Sequence, residues 1–423
     1  MKKFIELLFL SFLFLIGCSK DAVKEADDPV DPDSYNPVPE PKPLIVPPSG
    51  LVLCNGGLAG DYPCLGYDLQ SIVSLSVMGA TAGNDSWGWT DSQSGKEYVL
   101  MGLDNGTAFI DISKPDQPVF LGKLNSASVS SIWRDIKVFQ DHAFIVSEAQ
   151  NHGLQVFDLT RLRDITEEQK FTADVRMTGF GNAHNIAINE VSGYAYVVGS
   201  DLYQGGPAFI DINDPTNPTL VGGFGDESYT HDAHIITYEG PDTEYQGKEI
   251  LFGSNSDGGE NNQLIIVDVS DKTAPKLISN ITYSSGGYTH QGWLAEDFRY
   301  FYLGDELDEY RYGNLSKTLV FDLEDLDNPI LHHTYLGTTA AIDHNGYTRG
   351  DSFFLANYTA GFREIDIQNI GSREMEEVGF FDTFPNHDNP TFDAVWNVYP
   401  YFESGVIVIS DSNSGLFLVK ASQ

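Results

Sequence analysis

The 423-residue sequence predicts an all-β protein arranged as a β-propeller of seven four-stranded blades, although six or eight blades are also compatible with it. The first observation behind this prediction is a repeat that begins as GTAFIDISKPDQP at residues 106–118. Its copies are separated by 47, 53, 57, 54, 44 and 54 residues and centre on Asp111, Asp158, Asp211, Asp268, Asp322, Asp366 and finally Lys420. A period of about fifty residues is typical of propeller blades and longer than most solenoid units.

The second observation is the pattern of strands and turns within one repeat unit. In residues 184–224 the stretches HNIAIN, GYAYVVGS, GPAFIDIN and PTLVGGF each predict a strand, because short aliphatic and aromatic runs alternate with Gly, Asn, Asp and Pro. We name these strands A to D. The repeated Asp at the end of strand C is interpreted as a cap of the following turn. Residues 416–419 are expected to pair with the N-terminal region and close the ring.

Residues 1–18 predict a lipoprotein export signal. Two lysines precede an apolar run that is too short for a comfortable membrane span, and Gly17 stands directly before Cys18. Cys18 is therefore expected to carry the lipid anchor of a mature chain that has no transmembrane helix. Residues 19–50 are rich in Pro, Asp and Glu and predict a disordered tether. The early acidic residues resemble export signals of Bacteroidetes surface lipoproteins, so the expected location is the outer membrane or cell surface.

Residues 51–423 form the predicted propeller, with an N-terminal collar that contains Cys54 and Cys64. In an exported protein this pair is expected to form a disulfide, with two free thiols as the alternative. A metal site is disfavoured because no further cysteine is present to complete it. The net charge of -37, from 61 acidic and 24 basic residues, argues against a nucleic-acid partner.

Polar side chains recur where strand A starts and strand B ends, and these positions share one mouth of a propeller channel. The candidate metal ligands are His184, His234, His290 and His344. His231 is the alternate to His234, since only one of the two is expected to point into the channel. Glu148 and Glu306 are the candidate general bases. The candidate ligand-binding residues are Trp87, Asp135, Asp201, Asn255, Asp305, Asn357 and Asp411.

These residues leave three functions open. The leading hypothesis is a surface-anchored propeller that binds a glycan, a peptide or a partner protein, because aromatic platforms beside carboxylates and amides suit such ligands. The second is a metal-dependent enzyme of the hydrolase or lyase type with a divalent metal ion as its cofactor. The third is a structural scaffold of an envelope complex, whose mouth holds only water. Apart from these functions, the His and Asn side chains can have a structural role, in which they satisfy backbone groups between blades. Asp308 and Glu309 are interpreted as part of a solvated loop.

Motifs dispersed over residues 54–419 resemble those of the choice-of-anchor B family of exported proteins, and the repeat resembles the LVIVD repeat. The motifs are YPC at 62–64, NDSWGW at 84–89, WRD at 133–135, HGLQ at 152–155, AHN at 183–185, YTHD at 229–232 and YTHQGW at 288–293. The resemblance implies a propeller-like domain that an anchor, here the lipid on Cys18, fixes to the cell envelope. It implies no particular activity.

The substitution Cys18→Ala is expected to release the protein from membranes, because it removes the only thiol at the predicted processing site. Fractionation of cells into membrane and soluble material measures the change. Ser34→Ala, in the predicted tether, is the matched control and is expected to stay with the membranes. Membrane retention of the Cys18→Ala variant would contradict the lipid anchor.

Overall fold

The computed structural model describes residues 50–256 and 261–423, together with the backbone of Lys42–Pro43. The predicted export signal and residues 19–41 and 44–49 of the predicted tether lie outside the described residues. No helix in the described part of the chain is long and apolar enough to cross a membrane.

The described residues form seven antiparallel blades of four strands each, which confirms the predicted fold class and blade number. Strands A to D run from the axis outward. Blades 1 and 2 consist of Gly83–Thr90, Glu97–Leu103, Gly106–Asp111 and Val119–Asn125, and of Arg134–Phe139, His142–Ser147, Leu154–Asp158 and Val175–Met177. Blades 3 and 4 consist of Asn185–Asn189, Tyr194–Val198, Ala208–Asp211 and Thr219–Gly223, and of Thr230–Thr237, Glu249–Ser256, Asn262–Asp268 and Lys276–Thr282.

Blades 5 and 6 consist of Thr289–Leu294, Tyr300–Asp305, Lys317–Asp322 and Ile330–Leu336, and of Gly346–Arg349, Ser352–Ala356, Phe362–Asp366 and Glu376–Phe381. Blade 7 consists of Val395–Tyr399, Val406–Asp411, Gly415–Ala421 and the early strand Tyr67–Ser74. The sheets of blades 1 and 6 are extended by Glu167–Phe171 with Lys42–Pro43, and by Tyr62–Leu65 with Leu58–Ala59. The helical segments are α1 (Leu75–Met78), α2 (Asp308–Tyr312) and the 3-10 turns Leu159–Leu162, Tyr203–Gly205 and Ile370–Ser372.

The ring closes through strand pairing between the two ends of the described domain. Gly415–Ala421 pairs antiparallel with Tyr67–Ser74, and the register places Leu416 opposite Val73 and Val419 opposite Leu69. The predicted pairing of residues 416–419 is therefore confirmed. Without Tyr67–Ser74, Gly415–Ala421 would be the unpaired edge of a three-stranded blade, so the pairing completes the ring and covers that edge.

The repeated Asp of strand C caps the following turn, as the sequence predicts. Its carboxylate accepts a hydrogen bond from the backbone N–H two residues later, for example from Ser113 to Asp111 at 2.9 Å and from Asn213 to Asp211 at 3.0 Å. The same contact is made by Asp158, Asp268, Asp322 and Asp366. The repeat is thus explained by turn geometry.

Strands B and C supply the packing between blades. Every residue of Glu97–Leu103 and of Tyr300–Asp305 is buried. Across the boundary between blades 1 and 2, the rings of Phe109 and Phe157 stack with centroids 4.6 Å apart. Each large apolar side chain buried in this way contributes about 1.5–3 kcal/mol. This packing fixes the angles between blades, so strand A is available to carry polar groups along the axis.

The collar is held to blade 6. Cys54 and Cys64 form the predicted disulfide with Cα atoms 6.0 Å apart, so the alternative of two free thiols is wrong. The strand Tyr62–Leu65 pairs with Glu376–Phe381, which places Leu65 opposite Phe380. The disulfide therefore ties the residues before blade 1 to the outer edge of blade 6.

Replacing both collar cysteines, Cys54→Ser with Cys64→Ser, is expected to lower the free energy of unfolding by about 2–3 kcal/mol, because the crosslink closes a short loop. Chemical denaturation of the full chain measures the loss. A matched control is the wild-type protein under reducing conditions, which is expected to lose the same amount. An unchanged free energy of unfolding in both would show that the collar folds independently of the propeller.

Candidate functional site

Four imidazole rings line one end of the axis in consecutive blades. His184 directly precedes strand A of blade 3, His231 and His290 lie near the starts of strand A in blades 4 and 5, and His344 precedes strand A of blade 6. The ring centroids are 4.1 Å apart for His184 and His231, 4.2 Å for His231 and His290, and 4.3 Å for His290 and His344. We call these four side chains the imidazole arc.

In three rings of the arc, those of His231, His290 and His344, Nδ1 faces a backbone carbonyl of the next blade. Nδ1 of His231 is 3.0 Å from the carbonyl oxygen of His290, and Nδ1 of His344 contacts the carbonyl of Trp396. His290 stands in the same relation to the His344 carbonyl, although its Nδ1 lies outside good hydrogen-bond geometry. A carbonyl accepts but cannot donate, so Nδ1 carries the proton in these rings and Nε2 keeps its lone pair.

Two carboxylates stand beside the arc, and they are the predicted candidates Glu148 and Glu306. Oε1 of Glu148 is 2.6 Å from Nδ1 of His184. Glu306 lies 3.7 Å from Nε2 of His290 and 3.9 Å from Nε2 of His344, and it accepts a 3.0 Å hydrogen bond from the Tyr358 hydroxyl. Both glutamates directly follow a strand B, which is why they meet the starts of strand A.

Burial controls the protonation of this end of the channel. It lowers the pKa of His344 to about 3 and holds the pKa values of His231 and His290 well below their usual range, aided by repulsion between the rings. Burial raises the pKa of Glu306 to about 7, partly offset by the Tyr358 hydrogen bond. Three rings of the arc are therefore neutral at physiological pH.

His234, which the sequence placed among the metal ligands, lies outside the arc, and its alternate His231 takes that place. The His234 ring packs against Trp293 with centroids 3.9 Å apart, and burial lowers its pKa to about 3. A shift of the strand register between Thr230 and Asp232 interrupts the alternation of side chains. Both histidines consequently face the axis at different depths, so the expectation that only one would do so is wrong.

The predicted residues at the ends of strand B bind the loops that enter strand A. Asp201 accepts from the backbone N–H of Gly181 at 3.0 Å, and Asn255 donates to the Glu227 carbonyl at 2.8 Å. Equivalent contacts to the entering loops are made by Asp305, Asn357 and Asp411. Their hydrogen-bonding atoms hold the mouth in shape.

A larger cavity occupies the channel beyond the arc and opens on the opposite face, where strands A and B are joined by turns. This axial chamber has a volume of about 290 Å³, and its lining includes Trp87, Trp293, Tyr347, Asp135, Lys137 and Asp232. The space at the level of the arc is only about 10 Å³. Trp87 and Asp135, two predicted ligand-binding residues, therefore line a chamber whose opening lies at the mouth opposite to the predicted one.

Charged groups meet in the wall of the axial chamber. The Lys137 ammonium is 2.6 Å from Asp135 and 3.5 Å from Asp85, and it lies 4.5 Å from the centre of the Trp87 ring. Asp135 also accepts a 2.8 Å hydrogen bond from the backbone of Ile186 in blade 3. Burial raises the pKa of Asp232 to about 7, against the attraction of Lys137.

Aromatic rings form the rest of this wall. Trp293 contacts Tyr347 with centroids 4.9 Å apart, and Trp87 contacts Tyr399 at 5.2 Å. Trp87 and Trp293 are only half-buried, unlike Trp89, which belongs to the core at 4% exposure. The chamber therefore combines half-buried indole rings with carboxylates and an ammonium group.

The sequence analysis missed Asp85, Lys137, Asp232 and Tyr347. They occupy alternate positions of strand A, where side chains separated by two residues share a face. The signal was present in Asp135 with Lys137 and in Asp232 with His234. These residues can be found by following every second side chain along each strand A, starting from the predicted residues at its beginning.

Asp308 and Glu309 are not part of a solvated loop, which corrects the sequence interpretation. They lie at the start of α2 and are 0% and 1% exposed. Lys317 pairs with Asp308, and Asp343 lies close by. Burial and the neighbouring carboxylates of Asp343 and Asp308 hold the pKa of Glu309 far above its usual range, so this side chain is neutral in the folded protein.

These features define a seven-bladed β-propeller with two axial sites, and comparison with known proteins agrees with that class. The family model of the LVIVD repeat matches residues 180–226 and 258–282, which supports the repeat type indicated by the sequence. No curated protein matches the chain in sequence.

Three solved structures are similar in fold. One is a candidate 6-phosphogluconolactonase from Bacteroides fragilis, with 12% identity, coverage of 69% of this chain and 83% of that chain, and a TM-score of 0.51. Hydrazine synthase of Kuenenia stuttgartiensis has 10% identity, coverage of 77% and 93%, and a TM-score of 0.53. A protein from Lactobacillus plantarum has 13% identity, coverage of 81% and 95%, and a TM-score of 0.51. At such identities the likeness concerns the fold alone.

The substitution Glu309→Gln is expected to stabilise the protein more at about pH 8 than at about pH 5. The unfolded glutamate ionises near its ordinary pKa of 4.5 whereas the folded one stays protonated, so wild-type stability falls as pH rises between these values. Glutamine has no proton to lose, and the gain at the higher pH is expected to be on the order of 1 kcal/mol or more.

Denaturation at the two pH values measures this effect. The control Glu376→Gln changes an exposed glutamate of blade 6 and is expected to show no such difference. Equal effects of Glu309→Gln at both pH values would mean that Glu309 is ionised in the fold.

Proposed function

We propose that the protein binds a glycan, through one sugar unit held in the axial chamber. The observation that carries this proposal is the chamber itself, about 290 Å³ in volume, whose lining includes half-buried indoles and carboxylates beside an ammonium group. This volume is near the lower end of the range of volumes found for ligand-binding pockets, so it suits one small sugar ring rather than an extended peptide.

The chemistry of a sugar ring matches the two kinds of wall. Its C–H face packs on the half-buried ring of Trp293, and its hydroxyl groups donate to carboxylates and accept from ammonium groups. Lys137 and Asp135 are already fixed by their ion pair and by the Ile186 backbone. A fixed polar set costs little ordering on binding, so it favours selective recognition of hydroxyl positions.

The charge of the protein limits the class of glycan. With a net charge of -37, the surface repels long polyanions at a distance. A neutral or cationic sugar unit therefore fits better than a highly sulfated one. A peptide in the same chamber is an outcome that the binding test distinguishes.

The location that we propose is the cell surface, with the propeller anchored by a lipid on Cys18 and held away from the membrane by residues 19–50. The support is the order of lysines, apolar run, Gly17 and Cys18, followed by the Pro-rich and acidic composition. A disulfide between Cys54 and Cys64 fits a chain that folds outside the cytoplasm. A surface anchor would expose the chamber to extracellular glycans.

The substitution Trp293→Ala is expected to weaken glycan binding about tenfold or more, because it removes the stacking surface while leaving the charged wall in place. A glycan array of the wild-type protein identifies the ligand, and calorimetry of the best ligand measures the change. Trp133→Ala is the matched control, since Trp133 is 40% exposed and does not line the axial chamber.

The wild-type protein is tested on a peptide array as well, so glycan binding and peptide binding can be compared directly. Peptide binding without glycan binding, lost in Trp293→Ala, would replace the glycan by a peptide. Failure of the wild-type protein to bind on glycan and peptide arrays would contradict the proposal and favour a scaffold. Equal losses in Trp293→Ala and Trp133→Ala would place the ligand outside the chamber.

A further inference from the structure

The imidazole arc lies at the other end of the axis from the axial chamber and has no role in the proposed glycan binding. Nδ1 of His231 already contacts the His290 carbonyl at 3.0 Å, and Nδ1 of His344 contacts the Trp396 carbonyl. The remaining Nε2 atoms carry lone pairs at a place where neighbouring rings are 4.1 to 4.3 Å apart. Nitrogen lone pairs at such a place repel one another unless a hydrogen-bond donor or a cation lies between them.

The converging atoms include a carboxylate. One ring nitrogen of His231, one of His290 and one oxygen of Glu306 all lie within 4.8 Å of one another. In an occupied site, ligands about 2.0–2.2 Å from the ion lie roughly 3–3.5 Å apart. Small rotations of the three side chains are therefore sufficient to close them on an ion.

We propose that His231, His290 and Glu306 bind a divalent transition metal ion at this mouth of the channel. Two imidazoles with one carboxylate form a ligand set that leaves further coordination positions open, and it suits zinc, iron(II) or manganese. Calcium is disfavoured because it prefers oxygen ligands. His344 stands next to the site, with Nε2 3.9 Å from Glu306, and is placed to act as a fourth ligand.

The groups around the three ligands are those that a metal site uses to orient its ligands. The His290 carbonyl fixes the ring of His231, and the Tyr358 hydroxyl donates to Glu306 at 3.0 Å. Tyr288 packs edge-on against His231 with centroids 5.2 Å apart. Such contacts fix tautomer and rotamer before the ion arrives, which increases metal affinity.

Solvent reaches the site from the mouth. The Glu306 side chain is 16% exposed, whereas His290 is 2% exposed. His184 and Glu148 lie at the edge of the arc with side-chain exposures of 13% and 31%. An ion therefore enters past the exposed carboxylates and reaches the buried nitrogens last.

The test is elemental analysis of the full chain, purified without chelators and without a tag that binds metal. About one equivalent of transition metal per chain is expected. After removal of the metal, added Zn²⁺ is expected to rebind and to raise the unfolding temperature, because it binds the folded state preferentially. X-ray absorption at the metal edge is expected to show nitrogen and oxygen neighbours with imidazole scattering.

Two variants locate the ion. Glu306→Gln and His290→Gln are each expected to lower Zn²⁺ affinity at least about tenfold. His333→Gln is the matched control, because His333 lies on the outer strand D of blade 5 and is expected to leave the affinity unchanged. If His290→Gln does not fold, Glu306→Gln still tests the site, since it preserves shape and removes only charge.

A metal-free protein that also fails to bind added Zn²⁺, Mn²⁺ or Fe²⁺ would overturn the proposal. So would a bound metal whose affinity is the same in wild type, Glu306→Gln and His290→Gln. Glycan binding is measured separately through Trp293, so a failure of one proposal does not imply failure of the other. Metal loss in Glu306→Gln with intact glycan binding is the result that both proposals together predict.

Discussion

Closure of the ring by strands from the two ends of the domain is the constraint on which the rest of the structure depends. The strand Tyr67–Ser74 completes the last blade by pairing with Gly415–Ala421. Once the ring is closed, each blade is fixed between two neighbours, and strand A of every blade faces the same axis. Residues more than two hundred positions apart in the chain then become neighbours, as Asn397 and Ser86 do through a 2.8 Å hydrogen bond.

The axis has two ends with different chemistry, and hydrogen bonds between blades explain the difference. At the starts of strand A, side chains such as Asn185 and His231 bond to carbonyls of the next blade and draw the strands together. Further along, the blades diverge and leave the axial chamber, whose lining includes aromatic and charged side chains. One end is thus suited to a small ion and the other to an organic ligand.

Buried charged groups occur at both axial sites, and a further buried cluster surrounds Asp308 and Lys317. The Lys137 ammonium is shared by Asp135 and Asp85, while Glu306 and Asp232 have pKa values raised to about 7 by burial. Groups of this kind cost stability unless they are paired, neutralised or bound to a ligand. Their clustering at both axial sites is the physical reason to seek function there.

The sequence by itself determined the fold class and predicted seven blades, the closing strand and the collar disulfide, which the structure confirms. Local signals suffice for the blades, because strand and turn patterns repeat within each one and the capping Asp marks six of the seven copies of the repeat. It also brought His184, His290, His344, Glu148 and Glu306 to one mouth, since their positions relative to strands A and B follow from the repeat.

Only the tertiary structure decided which of these groups meet and where space remains. The register shift between Thr230 and Asp232 places His231 in the imidazole arc instead of His234. No local sequence pattern indicates a bulge at this position. Burial of Glu309 beneath its neighbours and the opening of the chamber on the opposite face depend on how blades pack across the axis. A sequence repeat specifies each blade, whereas cavity shape and the environment of each charge arise from contacts between blades.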